Sequence, residues 1–186
     1  MKTFLLILVL IAIPVLVVIA IYNGFISRRN DMRNAFASID VQLKKRWDLI
    51  PNLVETVKGY AEHERETYEK VINARNSARD MKNESPSRFA KENEISEGVG
   101  RLLAVAESYP ELRSSEHFLN LQRNLTEIES QISAARRAYN AAVKSWNNGI
   151  ETFPGSFFAS LWDFKRADWF EVATAEEREP VKVEMS

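Results

Sequence analysis

An uninterrupted apolar run at the N-terminus is followed by segments in which apolar residues recur at helical spacing. The run covers residues 4–22, and no charged residue occurs between Lys2 and Arg28. As a helix with a rise of about 1.5 Å per residue it would be about 28 Å long, which matches the hydrocarbon core of a bilayer. The pattern predicts a transmembrane anchor over residues 1–27. The predicted membrane-anchor residues, spaced along this run, are Phe4, Leu10, Pro14, Val18 and Tyr22.

A cleaved signal peptide is the alternative interpretation of this run. Its apolar region is usually shorter, about 7–15 residues, and residues 20–22 are a poor cleavage site. For a retained anchor, Arg28, Arg29 and Arg33 follow the run, whereas Lys2 and the amino terminus precede it. By the positive-inside rule, this margin of one charge favours a bundle on the cytoplasmic side.

After the anchor, apolar residues three and four positions apart predict a first long helix with one buried face. Pro51 predicts a kink or short break in it, because proline lacks a backbone donor. Asn52 could then bond the backbone that Pro51 frees, and Asn23-Gly24 suggests a flexible junction with the anchor. The stripe continues more weakly to Ile72, and its main positions are Phe36, Ile39, Leu43, Trp47, Ile50, Val54, Val57 and Ala61.

Two more helices are predicted beyond a polar turn at residues 76–87, where Ser85 or Ser87 could cap the next helix. Gly98 and Gly100 lie inside that helix and lower its helix propensity. A second helix that crosses closely at these positions would explain their presence. The last helix, of about 35 residues, repeats its apolar positions at a mean spacing near 3.5, as in a left-handed bundle. Those positions are Leu121, Leu125, Ile128, Ile132, Ala135, Tyr139, Ala142, Trp146 and Ile150.

The predicted fold class is therefore all-α: a transmembrane helix followed by an antiparallel bundle of the four-helix up-and-down type over residues 28–152. Residues 153–173 form an aromatic C-terminal hook, and the charged residues 174–186 are predicted to be a disordered tail. The hook either seals the open end of the bundle or presents a patch to headgroups or another subunit. Its candidate contact residues are Phe157, Phe158, Trp162 and Trp169.

Charge and residue chemistry narrow the function classes. The formal net charge is −1, and charges of both signs are mixed along the chain. Because a nucleic-acid-binding protein would show a basic face, the sequence predicts no nucleic-acid partner. The chain has no cysteine and two histidines. His63 briefly resembles the first ligand of a zinc-protease helix, but the position four residues later, where that motif has its second histidine, is Thr67. Zinc needs three or four close ligands. The sequence therefore predicts no metal, no cofactor and no catalytic residue, and His63 and His117 are expected to be exposed.

The densest polar constellation lies between residues 40 and 55. Lys44 is four residues from both Asp40 and Asp48, which is the spacing of helix-surface ion pairs. Such contacts explain these residues structurally, whereas the functional interpretation is a subunit or partner surface, or contact of Lys44, Lys45 and Arg46 with anionic lipid. The candidate surface comprises Asp40, Gln42, Lys44, Arg46, Asp48, Pro51, Asn52 and Glu55.

These residues resemble the LemA family of bacterial membrane proteins. The resemblance rests above all on residues 48–60, Asp-Leu-Ile-Pro-Asn-Leu-Val-Glu-Thr-Val-Lys-Gly-Tyr, and continues through residues 109–112, 118–122, 125–129 and 134–140 to Phe153-Pro154. It implies an anchored bundle of long helices in the bacterial cytoplasmic membrane, with no established catalytic residue. It also implies that one magnetosome-associated branch acts in making membrane compartments. Relatives that carry a lipoprotein signal face outward, but this chain lacks the cysteine that such a signal needs.

Three functions follow as hypotheses. The first is a homo-oligomeric membrane scaffold without enzymatic activity, acting in membrane organisation or remodelling. The second is an adaptor or regulator of another membrane protein, such as a protease or a signalling kinase. The third is an enzyme, for which no residue pattern is found. The expected partners are the lipid bilayer and further copies of the chain, with another membrane protein as the partner under the second hypothesis.

Overall fold

The computed structural model describes residues 1–61, 65–81 and 85–170. Its helices are α1 (Lys2–Lys58), α2 (Arg65–Asp80), α3 (Pro86–Val105), α4 (Pro110–Ser114), α5 (Glu116–Glu151) and α6 (Gly155–Leu161). A 3-10 turn over Ala106–Ser108 joins α3 to α4. Residues 164–170, here named the strap, are not helical. The described ranges contain no strand, and the all-α prediction is confirmed.

One continuous helix, α1, contains both the apolar run and the first helix of the bundle. Its 57 residues correspond to a length of about 85 Å. Pro51 therefore does not break the helix, and α1 also runs without interruption through Asn23-Gly24, where the sequence suggested a flexible junction. A proline at position 51 leaves the carbonyl of Trp47 without its helical donor, and Arg75 Nε of α2 donates to that oxygen at 2.7 Å. Arg75, and not Asn52, thus satisfies the backbone group that Pro51 frees.

Helices α1 and α5 form the long antiparallel pair that organises the molecule. Phe25 lies against Trp146 with ring centroids 6.2 Å apart. Further along, Phe36 lies against Tyr139 at 5.7 Å, so residue numbers rise on α1 while they fall on α5. The 36 residues of α5, about 54 Å, run back towards the end of the apolar run, as the predicted long last helix requires.

The shorter helices α2 and α3 pack against the half of this pair that lies away from the apolar run. Their core residues cluster with Ile50, Leu53 and Val57 of α1. The helix α2 continues to Asp80, so the polar turn predicted from residue 76 is wrong for its first five residues. Ser85 does cap α3, since its Oγ accepts a hydrogen bond from the Arg88 backbone N–H at 3.3 Å.

The half of the α1–α5 pair nearer the apolar run has no α2 beside it. Its core is completed by α6, the strap and Phe89 from the start of α3, with Ala159 and Phe170 buried and Phe164 packed against the cluster. The four-helix arrangement is thus confined to the distal half of the molecule, and a two-helix stem closed by the C-terminal segment forms the proximal half.

The α2–α3 contact allows a direct test of close helix approach. A Cβ at Gly98 would lie 2.3 Å from Val71 Cγ2, whereas a Cβ at Gly100 would meet nothing within 4 Å. We expect Gly98→Ala to lower the free energy of unfolding by about 1–2 kcal/mol through overpacking. Gly100→Ala, the matched control, should raise it by up to about 1 kcal/mol through helix propensity. Urea unfolding followed by circular dichroism measures both, and equal effects would contradict the close approach.

Candidate functional site

The residues predicted as one interaction surface are divided between two faces of α1. Lys44, Asp48, Asn52 and Glu55 are exposed, and together they form what we name the outer face of α1. Arg46 is fully buried, and Gln42 and Pro51 are half-buried. Asp40 is exposed but turned towards α3. The predicted set is therefore partly a surface stripe and partly a component of the core.

Arg46 lies at the centre of a buried ionic network that joins α1, α3 and α5. Its guanidinium donates to the Glu92 carboxylate and, at 3.1 Å, to the Glu92 carbonyl oxygen. It also donates to Glu129 Oε1 at 2.8 Å and to Ser96 Oγ at 2.5 Å. Ser96 Oγ lies 3.0 Å from Glu129 Oε2, to which it donates. We call Arg46, Glu92, Ser96 and Glu129 the Arg46 network.

The network places two carboxylates of different exposure around one guanidinium. The Arg46 and Glu92 side chains are 0% exposed, whereas the Glu129 side chain keeps 29% of its surface in solvent. Burial raises the pKa of the Glu92 carboxyl above its usual value, because the loss of solvent outweighs the attraction of the Arg46 guanidinium. Glu129 remains partly hydrated, which lowers the desolvation cost of placing a second carboxylate beside the same guanidinium.

A second pairing, between Arg88 of α3 and Asp40 of α1, lies beside the network. Arg88 donates to the Asp40 carboxylate, and its guanidinium lies over the rings of Phe36 at 5.3 Å and Trp47 at 5.7 Å. Asp40 thus bonds across helices, and the predicted Asp40–Lys44 ion pair is not formed. The prediction that Arg46 meets anionic lipid is also wrong, because its guanidinium is enclosed by protein.

Sequence reasoning missed Glu92, Ser96 and Glu129 as partners of Arg46. A signal for Arg46 was nevertheless present. The buried positions of α1 advance by four and three residues in a single series, Ile39, Leu43, Arg46, Ile50, Leu53 and Val57. An arginine inside that series predicts buried carboxylate partners on neighbouring helices. The neighbouring positions Trp47 and Val54, predicted for the stripe, are only half-buried.

The candidate aromatic residues also have different environments. Trp162 lies edge-on to Tyr22 of α1 with ring centroids 5.1 Å apart and stacks on Phe158 at 5.4 Å. Phe157 and Trp169 are exposed. The residues of the hook beyond Phe170, the tail and His63 lie outside the described residues, and His117 is exposed at the start of α5.

The strap is held on α5 through its backbone. Asn147 Nδ2 donates to the Ala167 carbonyl at 3.0 Å, and Asn147 Oδ1 accepts from the Ala167 N–H at 2.9 Å. Two turns earlier, Asn140 makes the same pair of bonds to Phe170, at 3.1 and 2.9 Å. Two asparagines seven residues apart lie on one face of a helix, so both can bond the backbone of one extended segment.

The described residues offer no group of three or more histidine, aspartate or glutamate side chains placed to hold a metal ion. Their clefts are open grooves between helices. One such groove, of about 280 Å³, is lined by Lys70, Val71 and Ala74 of α2 and by Glu94 and Gly98 of α3. The described residues also expose a long apolar surface: an 18-residue stretch of α1 has a mean hydropathy of 3.5 and is 0% buried.

Exposure of that entire run to solvent would be unfavourable, whereas a bilayer matches both its length and its composition. The described part of the chain has one helix long and apolar enough to cross a membrane. The protein is a membrane-associated helical protein.

Comparison with known proteins agrees with this architecture. The chain is 26% identical over 175 residues to magnetosome protein MamQ 2 of Paramagnetospirillum magneticum, covering 81% of this chain and 64% of the relative. It is 27% identical over 154 residues to protein LemA of Metamycoplasma hominis, covering 83% and 70%. The chain thus spans just under two thirds of the length of the magnetosome relative. The sequence profile of the LemA family matches residues 35–185, and the chain belongs to the LemA family.

Proposed function

We propose that this protein is a non-enzymatic, homo-oligomeric scaffold that holds a rigid helical bundle at a membrane surface. The observation that carries the proposal is the continuity of α1 from Lys2 to Lys58. A helix without a break transmits the orientation of its membrane segment to the bundle, so neighbouring copies present their outer surfaces in a fixed direction. A scaffold needs that fixed direction.

The buried chemistry of the bundle supports the same proposal. The Arg46 network and the Arg88–Asp40 pair join α1 to α3 and α5, so the most polar interior groups serve helix packing. The outer face of α1 carries a cation, Lys44, four residues before an anion, Asp48, and both are exposed. Alternating charge on an exposed helix face can pair with the same face of a second copy. Relatives named as magnetosome proteins support a role in organising a membrane compartment.

The scaffold is tested by the mass of the full-length protein in mild detergent and in nanodiscs. We expect a defined multiple of the chain mass of 21.4 kDa, together with a regular particle by electron microscopy. Lys44→Glu should lower the assembly state, whereas Lys144→Glu, an equally exposed charge reversal on α5, should not. A monomer in both environments at all concentrations would contradict the proposal.

Crosslinking in intact membranes separates the scaffold from the adaptor. Capture of another membrane protein through the outer face of α1, without a second copy of the chain, would favour the adaptor. We place the bundle on the cytoplasmic side of a bacterial inner membrane, in keeping with the cations that follow the apolar run, and protease protection in right-side-out vesicles measures that side.

A further inference from the structure

The turn from α5 into α6 reaches the same level as the end of the apolar run. We name residues 149–161 the corner. A Cβ at Gly149 would lie 3.1 Å from Arg28 Cδ, and one at Gly155 would lie 3.3 Å from Phe25 Cζ. Phe153 and Pro154 line a groove together with Ala20 and Ile21, which belong to the apolar run itself. If the run lies in lipid, the corner lies at the boundary of that lipid.

The corner exposes large apolar side chains at this level. Phe153 is 87% exposed, Phe157 is 65% exposed and Leu161 is 70% exposed. Phe157 and Leu161 are four residues apart in α6, so they lie on one side of that helix. Phe153 lies in the turn before it. The opposite side is packed: Gly155 and Ala159 are buried, and Phe158 stacks on Trp162. The outward side therefore stays uncovered while the inner side holds the corner against α1.

Charge is distributed as an interfacial segment requires. The α6 segment, Gly155–Leu161, contains no charged residue. Charges begin on both sides of it, with Arg166 Nε 3.0 Å from Glu151 Oε1 and with Arg28 beside Gly149. An uncharged aromatic segment next to ionic groups fits the boundary between acyl chains and headgroups, where aromatic side chains are enriched.

We propose that Phe153, Phe157 and Leu161 insert into the bilayer at the surface where α1 leaves it. The protein then contacts the membrane at two places, the span and the corner, and the second contact sets the rotation and tilt of the bundle. The bilayer is the occupant because Phe153 lies across one groove from Ala20 and Ile21 of the apolar run, and Trp162, next to Leu161, contacts Tyr22 at the end of that run. The proposal rests on α1 spanning the membrane and is independent of whether the chain forms oligomers.

Spin labels give a direct test, because the chain contains no cysteine. The variants Phe153→Cys, Phe157→Cys and Leu161→Cys replace exposed side chains in the full-length protein. Each is labelled and reconstituted into vesicles of phosphatidylcholine and phosphatidylglycerol. Collision rates are then measured with oxygen, which concentrates in lipid, and with a nickel chelate, which stays in water. Leu10→Cys provides the lipid reference.

The matched water reference is Leu119→Cys, an exposed leucine (40%) near the other end of α5. We expect the corner labels to show an oxygen-to-nickel collision ratio several-fold above that at position 119 and below that at position 10, which lies deeper in the bilayer. A ratio equal to that at position 119 would overturn the insertion, because the corner would then face water. Protection from both reagents with spin–spin broadening would also overturn it, because a second copy would cover the corner.

The same samples separate this proposal from the scaffold. A monomer with lipid-exposed corner labels would contradict the scaffold and leave the insertion standing. An oligomer with water-exposed corner labels would support the scaffold and contradict the insertion. A label at position 10 that collides with the nickel chelate as readily as one at position 119 would contradict both.

Discussion

Arg46→Met is expected to lower the free energy of unfolding by about 3–5 kcal/mol, which is typical when one partner of a buried ion pair is removed. The substitution leaves Glu92, whose side chain is 0% exposed, without a cation inside the protein. Urea unfolding of the full-length protein in detergent, followed by circular dichroism, measures the loss. Lys45→Met removes the neighbouring exposed cation and should change stability by no more than about 0.5 kcal/mol.

A double variant shows whether the loss comes from the unpaired charge. Arg46→Met/Glu92→Met replaces both buried groups with apolar ones, and such replacements are often neutral or stabilising. We therefore expect it to recover most of the stability lost in Arg46→Met. A double variant as unstable as the single one would mean that packing around the guanidinium, and not the isolated carboxylate, sets the cost.

The pH dependence of the same variants follows from the raised pKa of Glu92. The folded state binds the Glu92 proton more tightly than the unfolded state does, so this contribution to stability is complete below the unfolded pKa. It is lost as the pH rises through the folded pKa. Stability relative to Glu92→Gln should therefore fall as the pH rises from acidic to neutral. The cost of Arg46→Met should decrease as the pH is lowered, because a larger fraction of Glu92 then carries a proton.

Phe170→Ala is expected to release the strap and to cost about 3 kcal/mol, near the lower end for truncation of a buried phenylalanine. The Phe170 ring stacks on Phe89 with centroids 4.1 Å apart, and the Arg136 guanidinium lies 4.2 Å above it. Hydrogen exchange should show faster exchange at the Ala167 and Phe170 amides, which donate to Asn147 and Asn140.

Trp169→Ala is the matched control for that variant. Trp169 is the neighbouring aromatic residue and is 39% exposed, whereas Phe170 is 2% exposed. The tryptophan variant should leave the strap amides protected. If both variants exchange equally fast, the backbone bonds of the two asparagines, and not the Phe170 ring, hold the strap.

The strap shows which part of the fold could not be predicted from the sequence. Periodicity predicted the long last helix and the stripe of α1, because each residue on a helix face repeats at a fixed local angle. It could not show that the strap returns along α5, since Asn140 and Asn147 recognise backbone groups, which carry no sequence signature. The same limit applies to Arg75, which donates to the Trp47 carbonyl oxygen that Pro51 leaves without its helical donor.

By itself, the sequence determined the membrane helix, the all-helical class and the family. These depend on the length and period of apolar runs, which are local properties of the chain. The tertiary structure decided that Arg46 is a core residue, that α1 is unbroken, and that Phe153 lies beside the end of the apolar run. Each of these depends on which groups from distant parts of the chain approach one another, because burial and hydrogen bonding are properties of the packed molecule.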